Sequence, residues 1–182
     1  MGQAAKDVLE FWFSESVPED WFTKSDAFDR QIETRFGELV ERALLAQLDS
    51  WSADHSSRLA LIILLDQFTR NIYRDTPRAF AGDDMALGIC LTAIADGQLE
   101  DEEEVAKRQF LLMPMMHSED IDIQDQSLAL FKTYTSERTY DYAVMHRDII
   151  ARFGHFPHRN AILGRPSTPE EIAFLKEPNS SF

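Results

Sequence analysis

The chain has 182 residues, of which 44% are apolar, and its formal net charge is −14 at pH 7. This length and composition predict one globular domain over residues 1–182 that buries most of its chain surface. The acidic excess argues against binding to nucleic acids and to anionic membrane surfaces, because both need a basic face on the protein.

The start of the chain and its longest apolar run indicate the cellular location of the protein. The first residues, MGQAAKDVLEFWF, lack the basic leader and apolar core of a secretory signal. The longest apolar run, from Leu59 to Leu65, is far shorter than the roughly 20 residues that cross a membrane. Cys90 is the single cysteine, so no internal disulfide can form. We therefore expect a cytoplasmic protein, and the sequence indicates no cofactor.

Apolar residues recur every three or four positions along the chain without clean alternation, so we predict an all-α fold. Seven or eight helices are expected. In chain order they lie at about residues 4–13, 25–48, 57–72 and 83–96, then from the run EDEEE (100–104) to Pro114, and finally at 121–134, 136–153 and after Thr168. Short connections between helices favour antiparallel neighbours that stack in pairs.

Two helix starts carry clear local signals. Ser25 precedes a regular apolar stripe that begins at Phe28, and serine is a favoured N-cap residue. In STPEE, Thr168 is the predicted N-cap, Pro169 takes the first helical position and Glu171 completes a capping box. These helices are therefore expected to begin directly after Ser25 and Thr168.

The third predicted helix is apolar nearly all round through Leu65 and then becomes polar, which predicts a central position in the fold. Asp66 and Arg70 lie four residues apart, as do Gln67 and Asn71, so each pair can bond to itself on one helix face. Alternatively, Arg70 and Asn71 face a concave surface and bind a carboxylate or a phosphate.

Two histidines have both structural and chemical interpretations. In HSED, the residues 118–120 can cap the helix that follows, while His117 could carry a proton or bind a metal ion together with Glu119. His146 lies on an otherwise apolar helix face, which favours a half-buried hydrogen-bonding residue over a catalytic one.

The stretch RFGHFPHRNAILGR, residues 152–165, is unusually rich in hydrogen-bond donors for such an acidic chain. In one interpretation its arginines bond to carboxylates and helix-end carbonyls and thereby hold the C-terminal segment in place. In the other, the stretch contributes to an anion-binding pocket. The residues expected around that pocket are Arg70, Asn71, Arg108, His158, Arg159 and Asn160.

A metal site is a further option for the histidines of this chain. Its ligands would be His117, His146, His155 and His158. The sequence offers no pair of histidines four residues apart on one helix, which is the spacing that helical metal sites often use. We therefore expect no bound metal.

Four segments together resemble one bacterial family. They are VLEFWF, RLALIILLDQFTRNIYRDTPRAFAGDDMAL, HSED and HRDIIARFGHFPHRNAILGRPSTPEEIAFL, and they are similar to the domain-of-unknown-function 924 family over nearly the whole chain. The resemblance implies an all-helical superhelical stack similar to a tetratricopeptide-repeat domain, and it implies no activity.

The sequence departs from the pattern of this family at two places. The family usually reads RFGRFPHRN, whereas His155 stands here at the second arginine, which argues against an essential metal ligand at this position. The segment LLMPMMHSED also lacks the aromatic residues and the glutamate that the family tends to show before the histidine.

Three functions are compatible with these observations. The first is a binding module for a peptide, a partner protein or a carboxylate- or phosphate-bearing molecule. The second is a small enzyme that acts on an anionic metabolite, with His117 or His158 as acid or base. The third is a metal-dependent hydrolase. The candidate ligand-binding residues are Arg70, Asn71, Arg108, His117, His146, Arg152, His158, Arg159 and Asn160.

Overall fold

The computed structural model describes residues 1–181, and within them the fold is all-helical, as predicted. The α-helices are α1 Gln3–Glu10, α2 Asp26–Leu44, α3 His55–Ile62, α4 Thr69–Ile72, α5 Asp83–Ala95, α6 Gln98–Asp101, α7 Val105–Met116, α8 Ile121–Tyr134, α9 Glu137–Phe153, α10 Asn160–Leu163 and α11 Pro169–Phe174. Short 3-10 helices cover Asp49–Ala53, Pro77–Phe80 and Pro157–Arg159, and π-helical turns cover Phe11–Glu15 and Ile63–Phe68.

The predicted helix starts are confirmed at both caps. The Ser25 side chain accepts a hydrogen bond from the backbone of Phe28 at the start of α2. At the start of α11, Thr168 and Glu171 form the complete capping box. The side chain of Asp120 accepts from two backbone N–H groups at the start of α8, so HSED does cap that helix.

Helix ends differ more from the predictions than helix starts do. Helix α2 ends at Leu44, four residues early, because the chain turns at Ala46, whose φ is +57°. Helix α7 runs two residues beyond Pro114, where a kink or stop was expected. The acidic run 100–104 does not begin that helix, because its first residues belong to α6 and α7 starts only at Val105.

The third predicted helix is central, as expected, but it is not one regular α-helix. Its first part is α3, the π-helical turn Ile63–Phe68 follows without a break, and α4 completes it. This composite helix contacts α1, α2, α5 and α7. Its residues from Leu59 to Phe68 are all buried. The polar end of the composite helix is therefore held inside the fold.

The remaining helices pack in chain order beside this centre. Helix α7 contacts α8, and α8 contacts α9 across a two-residue connection. The main apolar core draws on α1 to α9, and a small second cluster of Ile149, Ile150, Phe156 and Phe174 anchors the C-terminal segment. A superhelical order of the helix pairs stays a prediction. Among residues 1–181, no helix has the length and apolar content that crossing a membrane takes.

Candidate functional site

A buried carboxylate lies in the π-helical turn of the central helix. The side chain of Asp66 is fully buried among apolar neighbours of the turn Ile63–Phe68. A π-helical turn inserts an extra residue into the helix and is frequent at functional sites. The carbonyl of Leu65 in this turn accepts a hydrogen bond from the Thr69 hydroxyl at 2.7 Å. The turn therefore places the carboxylate of Asp66 at a position that is surrounded by apolar side chains.

Helix α5 approaches the same turn very closely. A Cβ atom on Gly82, directly before α5, would lie 2.3 Å from the carbonyl oxygen of Leu65. Only glycine allows this approach without a shift of the backbone. As a result Asp83, the first residue of α5, lies beside the polar end of the central helix.

Arg70 joins the buried Asp66 to the half-buried Asp83. Its guanidinium donates to both carboxylate oxygens of Asp83, at 2.9 and 3.0 Å, and lies 3.2 Å from Asp66. The predicted pairing of Asp66 with Arg70 is confirmed. The predicted pairing of Gln67 with Asn71 is wrong, because Gln67 donates to Asp66 and Asn71 donates to Asp29 on α2.

His117, the residue after α7, completes the buried group. Its Nδ1 lies 2.7 Å from Oδ1 of Asp66. Burial opposes ionisation of Asp66, but its interactions with His117 and Arg70 outweigh burial and lower the pKa of the carboxyl. Burial also lowers the pKa of His117 below its usual value, although Asp66 counteracts this. At pH 7 the pair is therefore an ionised carboxylate and a neutral imidazole, so Nδ1 carries the proton that is donated.

Arg159 lies next to this pair and is only partly neutralised. Its guanidinium is sandwiched between the rings of Phe80 and Phe156, at 4.7 and 4.6 Å from their centroids. One Nη donates to the backbone carbonyl of His117 at 3.0 Å, and the other lies 3.5 Å from Asp83. Its Nε is buried without a hydrogen-bond partner. Burial, followed by the charge of Arg70, lowers the pKa of Arg159 to about 10.

Two further histidines border the same space. The rings of His117 and His146 are 6.3 Å apart, and the rings of His146 and His158 both contact Phe156. The Nδ1 of His146 donates to the backbone carbonyl of Tyr142 at 2.7 Å. Burial lowers the pKa of His146 to about 3 and that of His158 to about 4. Both imidazoles are therefore neutral at pH 7.

One cavity of about 920 Å³ is lined by Arg70, His117, His146, His158 and Arg159. Its charged and polar walls come from α4, the end of α7, α9 and the 3-10 helix Pro157–Arg159. Its apolar walls include Trp21, Phe22, Phe80, Met113 and Phe156. The volume lies in the range of about 300–1,000 Å³ that is typical of small-molecule sites, and the mixed lining is typical of them too.

The comparisons with known proteins establish the family. The sequence model of a family described as "Bacterial protein of unknown function" (DUF924) matches residues 8–179. The chain belongs to the DUF924 family. It is also similar to a solved structure of the protein of unknown function ATU0120 from Agrobacterium tumefaciens, with 39% identity and a TM-score of 0.89. That match covers 94% of this chain and 96% of the other. No curated protein matches the chain.

In this DUF924 chain, six of the nine candidate ligand-binding residues line the cavity. They are Arg70, Asn71, His117, His146, His158 and Arg159. Sequence spacing could suggest the neighbours of Arg70 on its own helix, but the residues of α7, α9 and the 3-10 helix meet them only through the tertiary fold.

The other three candidates do not line the cavity, contrary to expectation. Arg108 donates to the carbonyl of Leu99 and lies over the ring of Tyr134. Arg152 is bound to Glu170 on the surface. Asn160 is fully buried, and its amide donates to Ser167 and to the carboxylate of Glu171. Each of these three side chains therefore bonds to a partner outside the cavity.

The two interpretations of the stretch 152–165 both describe part of it. Arg165 donates to both carboxylate oxygens of Glu119, at 2.7 and 3.0 Å, and Glu119 also accepts from the backbone N–H of Phe156. These bonds tie the stretch to the end of α7. His158 and Arg159, in the middle of the stretch, face the cavity instead.

The four histidines do not gather into a metal site. His155 lies against Glu171, outside the cavity. The other three histidines face the cavity from different segments. Glu119, the other suggested ligand beside His117, is engaged by Arg165. Among residues 1–181, no group of three or more His, Cys, Asp or Glu side chains has an arrangement that could hold a metal ion.

Sequence analysis missed several residues of the site. Asp83 entered the predictions only as the start of a helix, and Phe80, Trp21 and Phe22 were not among the candidate site residues. Gly82 carried no signal at all, because its role depends on the approach of Leu65 from another helix. The juxtaposition of aspartates with a glycine before a helix is too common to have singled them out.

Proposed function

We propose that this protein binds a small carboxylate- or phosphate-bearing molecule in the cavity, with Arg159 as its main charge contact. The observation that carries the proposal is the state of this guanidinium. Its side chain is 8% exposed and its Nε is buried without a partner, while the side chain lines a cavity that can admit a ligand. A buried charged group without full hydrogen bonding costs free energy, which an anionic ligand would recover.

The distribution of charge around the cavity supports this choice of residue. Arg70 is neutralised by Asp83 and Asp66 within 3.2 Å. Arg74, on the same wall, is bound to Asp29 at 2.7 Å. The carboxylate contact of Arg159, which is with Asp83, is longer at 3.5 Å. Of these three arginines, Arg159 therefore has the most capacity left for an incoming anion.

The stacking of Arg159 also supports anion binding. The rings of Phe80 and Phe156 hold the planar guanidinium from both sides, so little side-chain entropy remains to be lost when a ligand binds. The aromatic side chains Trp21 and Phe22 on the opposite part of the lining suit an apolar portion of the same ligand. The limited volume favours a small molecule over a long peptide.

Isothermal titration calorimetry tests this proposal with defined probes. Inorganic phosphate, succinate and citrate are titrated into the wild type, the variant Arg159→Gln and the matched control Arg152→Gln. Arg152 comes from the same stretch but is exposed and bound to Glu170. A hydrogen bond to a charged group contributes about 1.5–3 kcal/mol, so the loss of Arg159 should weaken binding about 10- to 100-fold.

The control variant should bind like the wild type, because Arg152 does not line the cavity. Equal affinities in all three proteins, or no binding of any probe at millimolar concentration, would overturn the proposal. Near-native circular dichroism of Arg159→Gln shows that a loss of binding is not a loss of folding.

A further inference from the structure

His117 has the arrangement of a base whose proton position is fixed. Its Nδ1 is bound to the Asp66 carboxylate at 2.7 Å, and its side chain lines the cavity. Among the described residues, Nε2 makes no hydrogen bond. Since Asp66 is ionised and accepts the Nδ1 proton, the lone pair of the neutral ring is on Nε2.

The surroundings of Asp66 keep this arrangement in place. Gln67 donates to its second carboxylate oxygen, and Arg70 lies 3.2 Å from the first. The carboxylate is therefore oriented by two hydrogen-bond donors and one ion pair, and it is fully buried. A carboxylate held in this way orients the imidazole and stabilises the imidazolium that forms when the ring takes up a proton.

The charged and titratable groups around His117 come from each neighbouring segment. They are Asp66 and Arg70 on the central helix, Asp83 on α5, His146 on α9, and His158 and Arg159 on the 3-10 helix Pro157–Arg159. His117 is hydrogen-bonded through Nδ1 to a carboxylate, whereas Nδ1 of His146 donates to the backbone carbonyl of Tyr142 and Nδ1 of His158 is buried without a partner. His117 is therefore better suited than His146 or His158 to accept a proton.

We propose that His117 is a catalytic general base, positioned by Asp66, which removes a proton from a carboxylate- or phosphate-bearing substrate in the cavity. The proposal rests on the anion-binding function proposed above and assigns a reaction class to the same site. The lone pair of Nε2 forms an N–H bond as a C–H or O–H bond of the substrate breaks. The electron pair stays on the substrate, and the imidazolium returns the proton to the product. Asp66 stays ionised throughout.

The position of Arg159 fits this step. Its guanidinium donates to the backbone carbonyl of His117 at 3.0 Å and both side chains line the cavity, so a substrate that Arg159 binds can reach His117. The same positive charge stabilises the negative charge that develops on the substrate when the proton leaves. The site therefore provides a base and a positive charge for proton removal, and this reaction needs no nucleophilic side chain.

The elimination of 5-nitrobenzisoxazole tests the base without knowledge of the natural substrate. In this reaction a base removes the ring C–H proton, the N–O bond breaks, and a coloured cyanophenolate forms. The bicyclic probe carries no anionic group, so its binding does not require the charge contact with Arg159. General base catalysis contributes about 100- to 10,000-fold. We expect the variant His117→Gln to lose at least about 10-fold in kcat/KM.

The matched control is His55→Gln, since His55 is exposed at the start of α3 and outside the cavity. Its rate should equal that of the wild type. Equal rates in the wild type and His117→Gln would overturn the proposal. Circular dichroism and urea unfolding of both variants separate a loss of the base from a loss of folding.

The dependence of the rate on pH distinguishes a positioning role of Asp66 from a structural one. The base is active when neutral, so the rate rises with pH through the pKa of His117 and then levels off. In Asp66→Asn the carboxylate that raises this pKa is absent, so the midpoint should move to lower pH and the plateau rate should fall. An unchanged midpoint in a folded Asp66→Asn variant would remove Asp66 from the mechanism.

Inhibition by inorganic phosphate links the base to the anion site. Phosphate should slow the elimination in the wild type, and this inhibition should weaken about 10-fold or more in Arg159→Gln. If the elimination depends on His117 but phosphate neither binds nor inhibits, the base stands and the anion-binding function fails. If phosphate binds through Arg159 but His117→Gln leaves the rate unchanged, the anion site stands and the catalytic inference fails.

Discussion

Arg159 and Arg165 lie six residues apart in one donor-rich stretch, yet their surroundings differ. Arg165 is bound through two oxygens to Glu119, which ties the stretch to the end of α7. Arg159 is more deeply buried, is stacked between two aromatic rings and meets a carboxylate only at 3.5 Å. The same residue type therefore holds the fold together where a carboxylate accepts two short hydrogen bonds from it, and under the proposed function it binds a ligand where its carboxylate contact is longer.

A similar contrast separates two other groups of charged residues, one beside the cavity and one on the surface. On the cavity side, Asp66, Arg70 and His117 form a buried network that depends on every member. On the outer side, Arg152 and Glu170 form a surface pair whose members both face solvent. Substitutions should therefore differ widely in their effect on stability, although all of them break an ion pair or a hydrogen bond to a charge.

The largest effect is expected at Asp66. Asp66→Ala removes the carboxylate that accepts from Gln67 and His117 and lies beside Arg70, in a fully buried position. Removal of one partner from a buried charged pair costs about 3–5 kcal/mol of unfolding free energy. Urea unfolding followed by circular dichroism measures this loss. A loss below about 1 kcal/mol would mean that Asp83 alone supports Arg70.

The next largest loss of stability is expected at Arg165, and it should exceed the loss at Arg159. Arg165→Ala leaves Glu119 without its two charged hydrogen bonds and should cost about 1.5–3 kcal/mol. Arg159→Ala should cost less than about 2 kcal/mol, because its Nε has no partner to lose and its nearest carboxylate is distant. Urea unfolding of both variants under identical conditions tests the order. The opposite order would make Arg159 the structural residue of the stretch.

The buried histidines predict a dependence of stability on pH. The pKa of His146 is lowered to about 3 in the folded chain, chiefly by burial, against about 6.5 when unfolded. Between these values the unfolded chain binds the proton and the folded chain does not, so stability is lost as the pH falls below about 6.5. For a single group the slope is at most about 1.4 kcal/mol per pH unit.

The variant His146→Gln isolates this contribution. Its unfolding free energy should depend less steeply on pH between about 6 and 4 than that of the wild type. The variant His55→Gln, at an exposed position, is measured alongside it as the control for the substitution itself. A slope in His146→Gln as steep as that of the wild type would show that the histidine is not buried in its neutral form.

The smallest effect is expected at the surface pair. Arg152→Ala breaks the contact with Glu170, whose side chain is largely exposed. Exposed ion pairs contribute about 0–1 kcal/mol, and salt screens them. Thermal unfolding with and without added salt measures the difference. A large loss that salt does not reduce would show that Arg152 acts through its stacking on Phe153 and Phe174 instead of its charge.

The prediction of the fold succeeded where a signal depends on adjacent residues. The caps at Ser25 and Thr168 need only the backbone N–H groups of the next turn, so their positions are correct to the residue. The end of α2 depends on the left-handed turn at Ala46, a residue type that gives no warning of such a conformation. The π-helical turn at Asp66 likewise has no distinctive sequence pattern, because an apolar run is compatible with either helix type.

The prediction of the site succeeded in part for a related reason. Arg70 and Arg159 stand out because donors in an acidic chain are few, and both line the cavity. Asn160, the neighbour of Arg159, has the same polar character but turns into the C-terminal segment. Since consecutive residues of a short helix point in different directions, composition alone cannot separate the two.

The amino-acid sequence by itself determined the all-helical fold, the main helix starts, the central place of the third helix and the donor-rich stretch near the C-terminus. These features arise from periodicity, capping and composition, which act within a few residues of one another. Only the tertiary structure decided that Gly82 brings Asp83 to the central helix, that His117 meets Asp66, and that Arg159 faces the cavity while Arg165 does not. Those outcomes depend on contacts between residues that are far apart in the chain, and the energy of each contact exists only once the helices have packed.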